Sequence, residues 1–287
     1  RVPLRVSEPV ARALFLAGYH LWPAKRRIVV ANASHVLGLP ADDRRVARLA
    51  RGIYATYSRF ALELMRLPSL PADEPARLLD SEGEHHRRIM ALWESCRQDG
   101  RGIIAVSGHI GSIEVFAGAY AQLGIPVYGL ADDSAFPELF ELLTRSRARW
   151  GVTIIPWRRL RDIFRVMRQP CILGMVVDWG YRTDDLPVRL FGEWTTLPAG
   201  PALLAARTRA VIVPVVVRRE PDGRYRPIMS EPIEVADGSA AELARTTQAI
   251  ADALEGMVRT APEQWYTFKP MWPSSAEEGA ALAVRAA

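Results

Sequence analysis

The stretch Ser107-Gly108-His109-Ile110-Gly111-Ser112-Ile113-Glu114 sets a histidine at the end of an apolar run and a carboxylate five residues further on. Residues five apart on one continuous helix point in different directions, because helical neighbours are three or four apart. The two side chains can meet if His109 sits in a strand-to-helix loop and Glu114 lies in the first turn of the helix, with Gly111 or Ser112 beginning or capping it. A carboxylate bonded to one imidazole nitrogen fixes the tautomer and leaves the other nitrogen free to take a proton. Such a pair activates a hydroxyl. The flanking glycines let a substrate approach the backbone closely. The spacing alone fits a surface or core histidine with a chance neighbour equally well, so both readings stand at this stage.

Other residues extend the constellation. Arg145, Arg147 and Arg149 close a predicted helix over 137–150 and immediately precede a predicted strand over 153–155. Helix-end placement explains them structurally, but loops at strand ends are where ligands bind in such sheets, and an arginine there can hold a phosphate or a developing oxyanion. Asp178 follows the apolar run 172–177, another strand end; it either binds an acceptor hydroxyl or caps the turn at Gly180. Thr195 and Thr196 belong to the segment 191–200, read as a loop that opens a helix at Pro201; it either offers backbone donors to a ligand or is a plain helix entry with proline in the first turn. His85 and His86, beside Glu82 and Glu84, are best read as a solvated helix face, and no metal is expected.

Several chemistries are excluded. Gly100-Arg101-Gly102 imitates a dinucleotide fingerprint but precedes a strand where the fingerprint must follow one. There is no Gly-x-Ser-x-Gly elbow and no Walker loop. Cys96 and Cys171 provide neither a disulfide framework nor a zinc pattern. The net charge is +5, with Lys25 and Lys269 the only lysines. This arginine excess suits anionic surfaces or phosphate-bearing ligands; no zinc finger, RNP motif or recognition helix suggests nucleic acid.

The elements that must position these residues follow from periodicity. Residues 10–22, 25–37, 42–67 and 83–98 read as helices, with Pro23, Pro40, Pro68, Pro71 and Pro75 as breaks. From Arg101 strands and helices alternate: strands over 103–106, 127–130, 153–155, 171–177, 211–217 and 225–229, and helices over 112–123, 137–150, 160–168, 200–207 and 240–260. Near-continuous apolar strands imply a sheet covered on both faces. Residues 1–99 form an N-terminal helical segment, 100–273 an α/β core, and 274–287 a frayed tail. No apolar run spans a membrane. The chain starts at Arg1 without a methionine, which leaves room for a segment ahead of it.

Taken in order, these blocks resemble the bacterial lysophospholipid acyltransferases of the lipid A late-acyltransferase group, which includes phosphatidylinositol mannoside acyltransferases. The His-x4-Asp/Glu motif falls on His109 and Glu114, and the arginine block on Arg147-Ala148-Arg149-Trp150-Gly151. Val176-Val177-Asp178, Phe191-Gly192, Thr195-Thr196, Leu197-Pro198-Ala199-Gly200-Pro201, Val213-Pro214 and Pro262-Glu263-Gln264-Trp265 complete the likeness, which covers nearly the whole chain. Gly-Ser-Ile precedes Glu114 where many relatives have Gly-Asn-Trp, and the usual N-terminal anchor is short or absent.

The resemblance implies an α/β fold of the glycerolipid acyltransferase kind: a mixed central β-sheet flanked by helices, with the N-terminal helices near the membrane. It implies transfer of a fatty acyl group from acyl-CoA or acyl carrier protein to a hydroxyl of a glycolipid or lysophospholipid, with no cofactor beyond that thioester. The setting would be the cytoplasmic face of the bacterial inner membrane, reached peripherally or through an anchor ahead of Arg1. His109 would act as general base and Glu114 as its orienting acid. Arg145, Arg147, Arg149, Asp178, Thr195 and Thr196 would contact substrate. A thioesterase or lipid hydrolase using the same pair on water, and a lipid-binding protein without catalysis, remain alternatives.

Overall fold

A computed structural model describes residues 3–133 and 137–286. Helices α1 (Leu4–Leu21), α2 (Pro23–Leu37), α3 (Arg44–Arg66), α4 (Glu74–Leu78) and α5 (Glu84–Gln98) precede the first strand. Pro23 opens α2, and Asp43 caps α3 by accepting a hydrogen bond from the Arg45 amide at 2.7 Å. One face of α3 buries Val46, Ala50, Ile53 and Tyr54, and α1 and α2 pack on it through Tyr19 and Val29.

Strands and helices then alternate: β1 (Ile103–Ser107), α6 (Ile113–Gln122), β2 (Val127–Ala131), α7 (Pro137–Ala148), β3 (Val152–Pro156), α8 (Leu160–Val166) and β4 (Ile172–Val176). A hairpin of β5 (Leu186–Leu190) and β6 (Glu193–Leu197) follows, then α9 (Gly200–Thr208), β7 (Val211–Arg219), β8 (Tyr225–Met229), α10 (Ala240–Thr260) and α11 (Ala276–Ala286). The central sheet has six strands in the order β3-β2-β4-β1-β7-β8, parallel throughout except for β8, which runs antiparallel to β7. The fold is the α/β class with a mixed, helix-flanked sheet that the sequence suggests.

Alternate residues of the central strands feed two separate cores. Ile104, Val106, Leu173 and Ile212 point toward α9 and α10, while Ile103, Ala105, Ile172 and Val213 point toward α5 and α6. A strand buried on both faces needs no polar positions, which is why β1, β4 and β7 read as unbroken apolar runs.

Two segments differ from the sequence expectation. Residues 186–197 form a hairpin rather than a plain loop, turning at Phe191 (φ 53°) and Gly192 (φ 82°). Positive φ at both turn positions marks the tight connection that suits twisted strands. A phenylalanine in the turn and Pro187 within the strand mask that signal. Residues 276–286, expected to fray, form α11, which buries Leu282 beside the hairpin; its Arg285 donates to the carbonyls of Thr183 (2.7 Å) and Asp185 (2.9 Å).

Candidate active site

His109 lies just beyond the carboxyl end of β1, in the loop leading to α6, and Glu114 lies in the first turn of that helix. Their placement is as the sequence suggests; their partnership is not. The imidazole is held by Asp178 rather than Glu114: Asp178 Oδ1 lies 2.7 Å from His109 Nδ1, and Oδ2 accepts the His109 backbone N–H at 2.8 Å. The reason is the register of neighbouring parallel strands. Ser107 of β1 pairs with Val176 of β4, and the same alignment carried two residues further brings Asp178 beside His109. Glu114, on the helix, turns away and takes Arg147 of α7 in a two-pronged ion pair, Nε to Oε2 at 2.9 Å and Nη2 to Oε1 at 2.5 Å.

Asp178 is fully enclosed, its side chain 0% exposed, whereas 35% of the His109 side chain remains exposed. The carboxylate accepts a third hydrogen bond, from Trp265 Nε1 at 2.7 Å, so neither oxygen is left bare. Burial acts to raise the Asp178 pKa, but His109 and these hydrogen bonds overcome it and hold the group below the usual carboxylate range. Burial likewise acts to lower the imidazole pKa; the Asp178 charge and hydrogen bond outweigh it, and Lys269 pulls weakly back, leaving His109 above its ordinary value. In the neutral ring, Nδ1–H donates to the carboxylate and Nε2 carries the lone pair.

The backbone makes this arrangement possible. A Cβ on Gly108 would stand 2.9 Å from Asp178 Oδ2, so glycine is what lets the carboxylate reach the His109 amide. Gly111 adopts φ +60°, and a Cβ there would come within 1.8 Å of the Val217 carbonyl. The loop is clamped on its other side by the segment after α10: the Tyr266 amide donates to the His109 carbonyl at 2.8 Å and the Gly111 amide to that of Gln264 at 3.1 Å. Ser112 precedes α6 without a side-chain capping bond.

The remaining candidates divide. Arg147 is drawn in by Glu114. Arg145 pairs with Glu141 on the exposed side of α7, and Arg149 donates to the carbonyls of Pro68 (2.6 Å) and Leu70 (3.1 Å), tying α7 to the turn after α3. Thr195 and Thr196 are buried: the first donates to the Met271 carbonyl, the second to the Arg182 carbonyl at 2.7 Å. Their hydroxyls are committed to loop carbonyls, not presented to a ligand. His86 meets the Tyr120 hydroxyl at 3.0 Å, and His85 Nδ1 accepts the Met229 amide at 3.3 Å, both structural roles. Sequence reasoning missed the Asp178–His109 pairing and the part of Trp265. A signal was present: His109 stands six residues after Ile103 and Asp178 six after Ile172, so two apolar strands of one sheet end in titratable groups at equal distance.

A cleft of about 110 Å³ borders Ser112 and Glu114 and runs between the head of α6 and the end of α3, where Phe60, Leu64, Leu67 and Leu78 line it with Arg59 and Glu63.

An imidazole braced by a buried carboxylate at the carboxyl ends of parallel strands is an arrangement whose chemistry suits proton transfer from a hydroxyl. The chain belongs to the bacterial lipid A biosynthesis acyltransferase family, whose profile matches residues 4–274. It is an O-acyltransferase. Among curated relatives, the phosphatidylinositol mannoside acyltransferase of Mycolicibacterium smegmatis is 28% identical over 280 residues, covering 95% of this chain and 88% of the relative. That of Mycobacterium tuberculosis is 26% identical over 259 residues, covering 86% of this chain and 77% of the relative.

Proposed function

We propose that this protein transfers a fatty acyl group from a thioester, acyl-CoA or acyl carrier protein, to a hydroxyl of a phosphatidylinositol-mannoside-type glycolipid. The observation that carries the proposal is the Asp178–His109 pair, which turns Nδ1 to the carboxylate and leaves Nε2 for a substrate proton at a partly open position in a chain of this family. His109 Nε2 takes the proton of the acceptor hydroxyl as its oxygen attacks the thioester carbonyl. The tetrahedral intermediate collapses, the carbon–sulfur bond breaks, and the imidazolium returns the proton to the leaving thiolate. Asp178 fixes the ring and stabilises its charged form.

Direct transfer, without an acyl-enzyme, is supported by the state of the nearby nucleophiles. Ser107 is buried with its hydroxyl donating to the Gly108 carbonyl at 3.0 Å, and the buried Cys171 lies at the far, amino end of β4, its carbonyl accepting the Ile103 amide at 2.8 Å. The Glu114–Arg147 pair, beside the cleft, is assigned the positioning of α6 and of the acceptor. No resident cofactor is required.

A membrane setting is supported by α1, which leaves Val6, Val10, Leu14 and Leu21 exposed with Trp22 just after it. Val6, Val10 and Leu14 recur at one-turn spacing, the pattern of a helix lying in a bilayer surface. Among the described residues no helix is long and apolar enough to cross a membrane. The cytoplasmic face of the plasma membrane, where acyl thioesters are made, is the proposed location.

The test is incubation of the purified protein with radiolabelled acyl-CoA and a mannosylated phosphatidylinositol, paired with lipid mass spectrometry of cells with and without the protein. Acceptor-dependent labelling, and loss of one acyl chain from a glycolipid in the deficient cells, are expected. Free fatty acid released at the same rate without acceptor would mark a hydrolase instead.

A further inference from the structure

The segment after α10 brings more than Trp265 to the site. Asn32, buried in α2, donates from Nδ2 to the Lys269 carbonyl at 2.9 Å and accepts the Met271 amide at 3.2 Å. Lys25 Nζ reaches the Phe268 carbonyl at 3.2 Å, and the Tyr181 amide donates to the Pro270 carbonyl at 2.8 Å. Residues 268–271 are therefore fixed from two sides, by α2 and by the loop that carries Asp178. From this strap Lys269 extends its ammonium over the Trp179 ring, 5.1 Å from the centroid. Trp179 in turn stands edge-on to His109, centroids 5.2 Å apart at 88°, with its own N–H held by the Val176 carbonyl at 2.8 Å.

Both Trp179 and Lys269 are exposed, and among the described residues no carboxylate pairs with the ammonium. A lysine is a compact point charge suited to phosphate, and an aromatic face holds it in place without neutralising it. The charge is felt at the catalytic ring, since Lys269 acts with Asp178 on the His109 titration, in the opposite direction.

We propose that Lys269, seated on Trp179, is an anion subsite of the active site and binds a phosphate ester carried by one of the two substrates. The inference rests on the acyltransferase reading for the identity of those substrates. The phosphate is either that of the phosphopantetheine arm of the donor or the phosphodiester of the lipid acceptor; the chemistry at the ammonium is the same.

Steady-state kinetics of Lys269→Gln and Lys269→Arg, varying acyl-CoA and then acceptor, separate the two sources. Loss of a charge-assisted contact should raise one KM by about tenfold or more, exceeding any fall in kcat, with Lys269→Arg recovering most of it. A rise for acyl-CoA places the donor phosphate there, and a rise for the lipid places the acceptor phosphate. If both KM values stay within about twofold of wild type, the proposal is overturned.

An arm independent of turnover follows the His109 imidazole by NMR during addition of inorganic phosphate or coenzyme A. The signal should move in the wild-type protein and not in Lys269→Gln, whose imidazole pKa should also be higher. No movement in wild type, or equal movement in both, overturns the subsite. Failure of the wild-type protein to transfer acyl groups at all would instead strike the acyltransferase reading, and the NMR arm would still decide the role of Lys269.

Discussion

The catalytic proposal reduces to one hydrogen bond between His109 and Asp178, and its consequences are sharpest in pH. Because the imidazole pKa lies above its ordinary value, the acidic limb of kcat/KM should fall above about pH 6.5. Asp178→Asn removes the charge that raises it, so that limb should move to lower pH while kcat drops by about 10²–10⁴-fold. A pH–rate profile unchanged in position would contradict the pairing. His109→Ala should abolish transfer with an unchanged circular dichroism spectrum, since 35% of that side chain is already exposed. The ion pair also bears on stability. The raised imidazole contributes below about pH 6.5 and ceases to contribute as pH rises through its folded value; Asp178, depressed, contributes above about pH 4 and ceases to as pH falls through its own folded value. At this scale the sequence placed His109 correctly at the end of its strand but misnamed the carboxylate that holds it. Spacing along a chain tells which residues are near in one helix or loop, whereas Asp178 reaches His109 through the lateral register of two strands, which periodicity does not encode.

Elements were more legible than partnerships. The inner strands β1, β4 and β7 were announced by apolar runs and the long helices by their periodicity, because burial on both faces or on one stripe leaves a direct compositional trace. The hairpin β5–β6 escaped because Phe191 in its turn and Pro187 in its strand hide the pattern, and α11 because it buries little beyond Leu282, against that hairpin. Where elements join, the side chains of Glu114 and Arg147 link α6 to α7, 11% and 15% exposed respectively. Glu114→Gln should lower unfolding free energy by about 1–3 kcal/mol, since breaking one side of a largely buried pair strands the other charge and residual solvent moderates the loss. Urea titration should show the double variant Glu114→Gln/Arg147→Met costing less than the sum of the single changes. At the β1–α6 junction, Gly111→Ala should destabilise by about 1–3 kcal/mol from backbone conformation alone, before any displacement of Val217, read as a lower urea midpoint.

On the scale of the whole molecule, α1 is the part whose surface does not match its position. It packs on α3 with one side and exposes Val6, Val10 and Leu14 on another. Replacing Val10 and Leu14 together by glutamate should weaken vesicle binding by tenfold or more, on the order of one buried side chain's transfer energy each, with little change in melting temperature. Flotation with anionic vesicles measures it, and equal recovery of variant and wild type would remove the case for α1 as the membrane face. The same long-range logic governs the reactive centre. The proposed base, His109, follows β1, the carboxylate that holds it follows β4, 69 residues later, and the indole on that carboxylate comes a further 87 residues on, at Trp265. On the ribosome, a nascent product carrying His109 and Asp178 still lacks the clamp that finishes both. A chain cut before Trp265 should therefore leave the His109–Asp178 pair without its clamp and lose transfer without the removal of a single reacting atom.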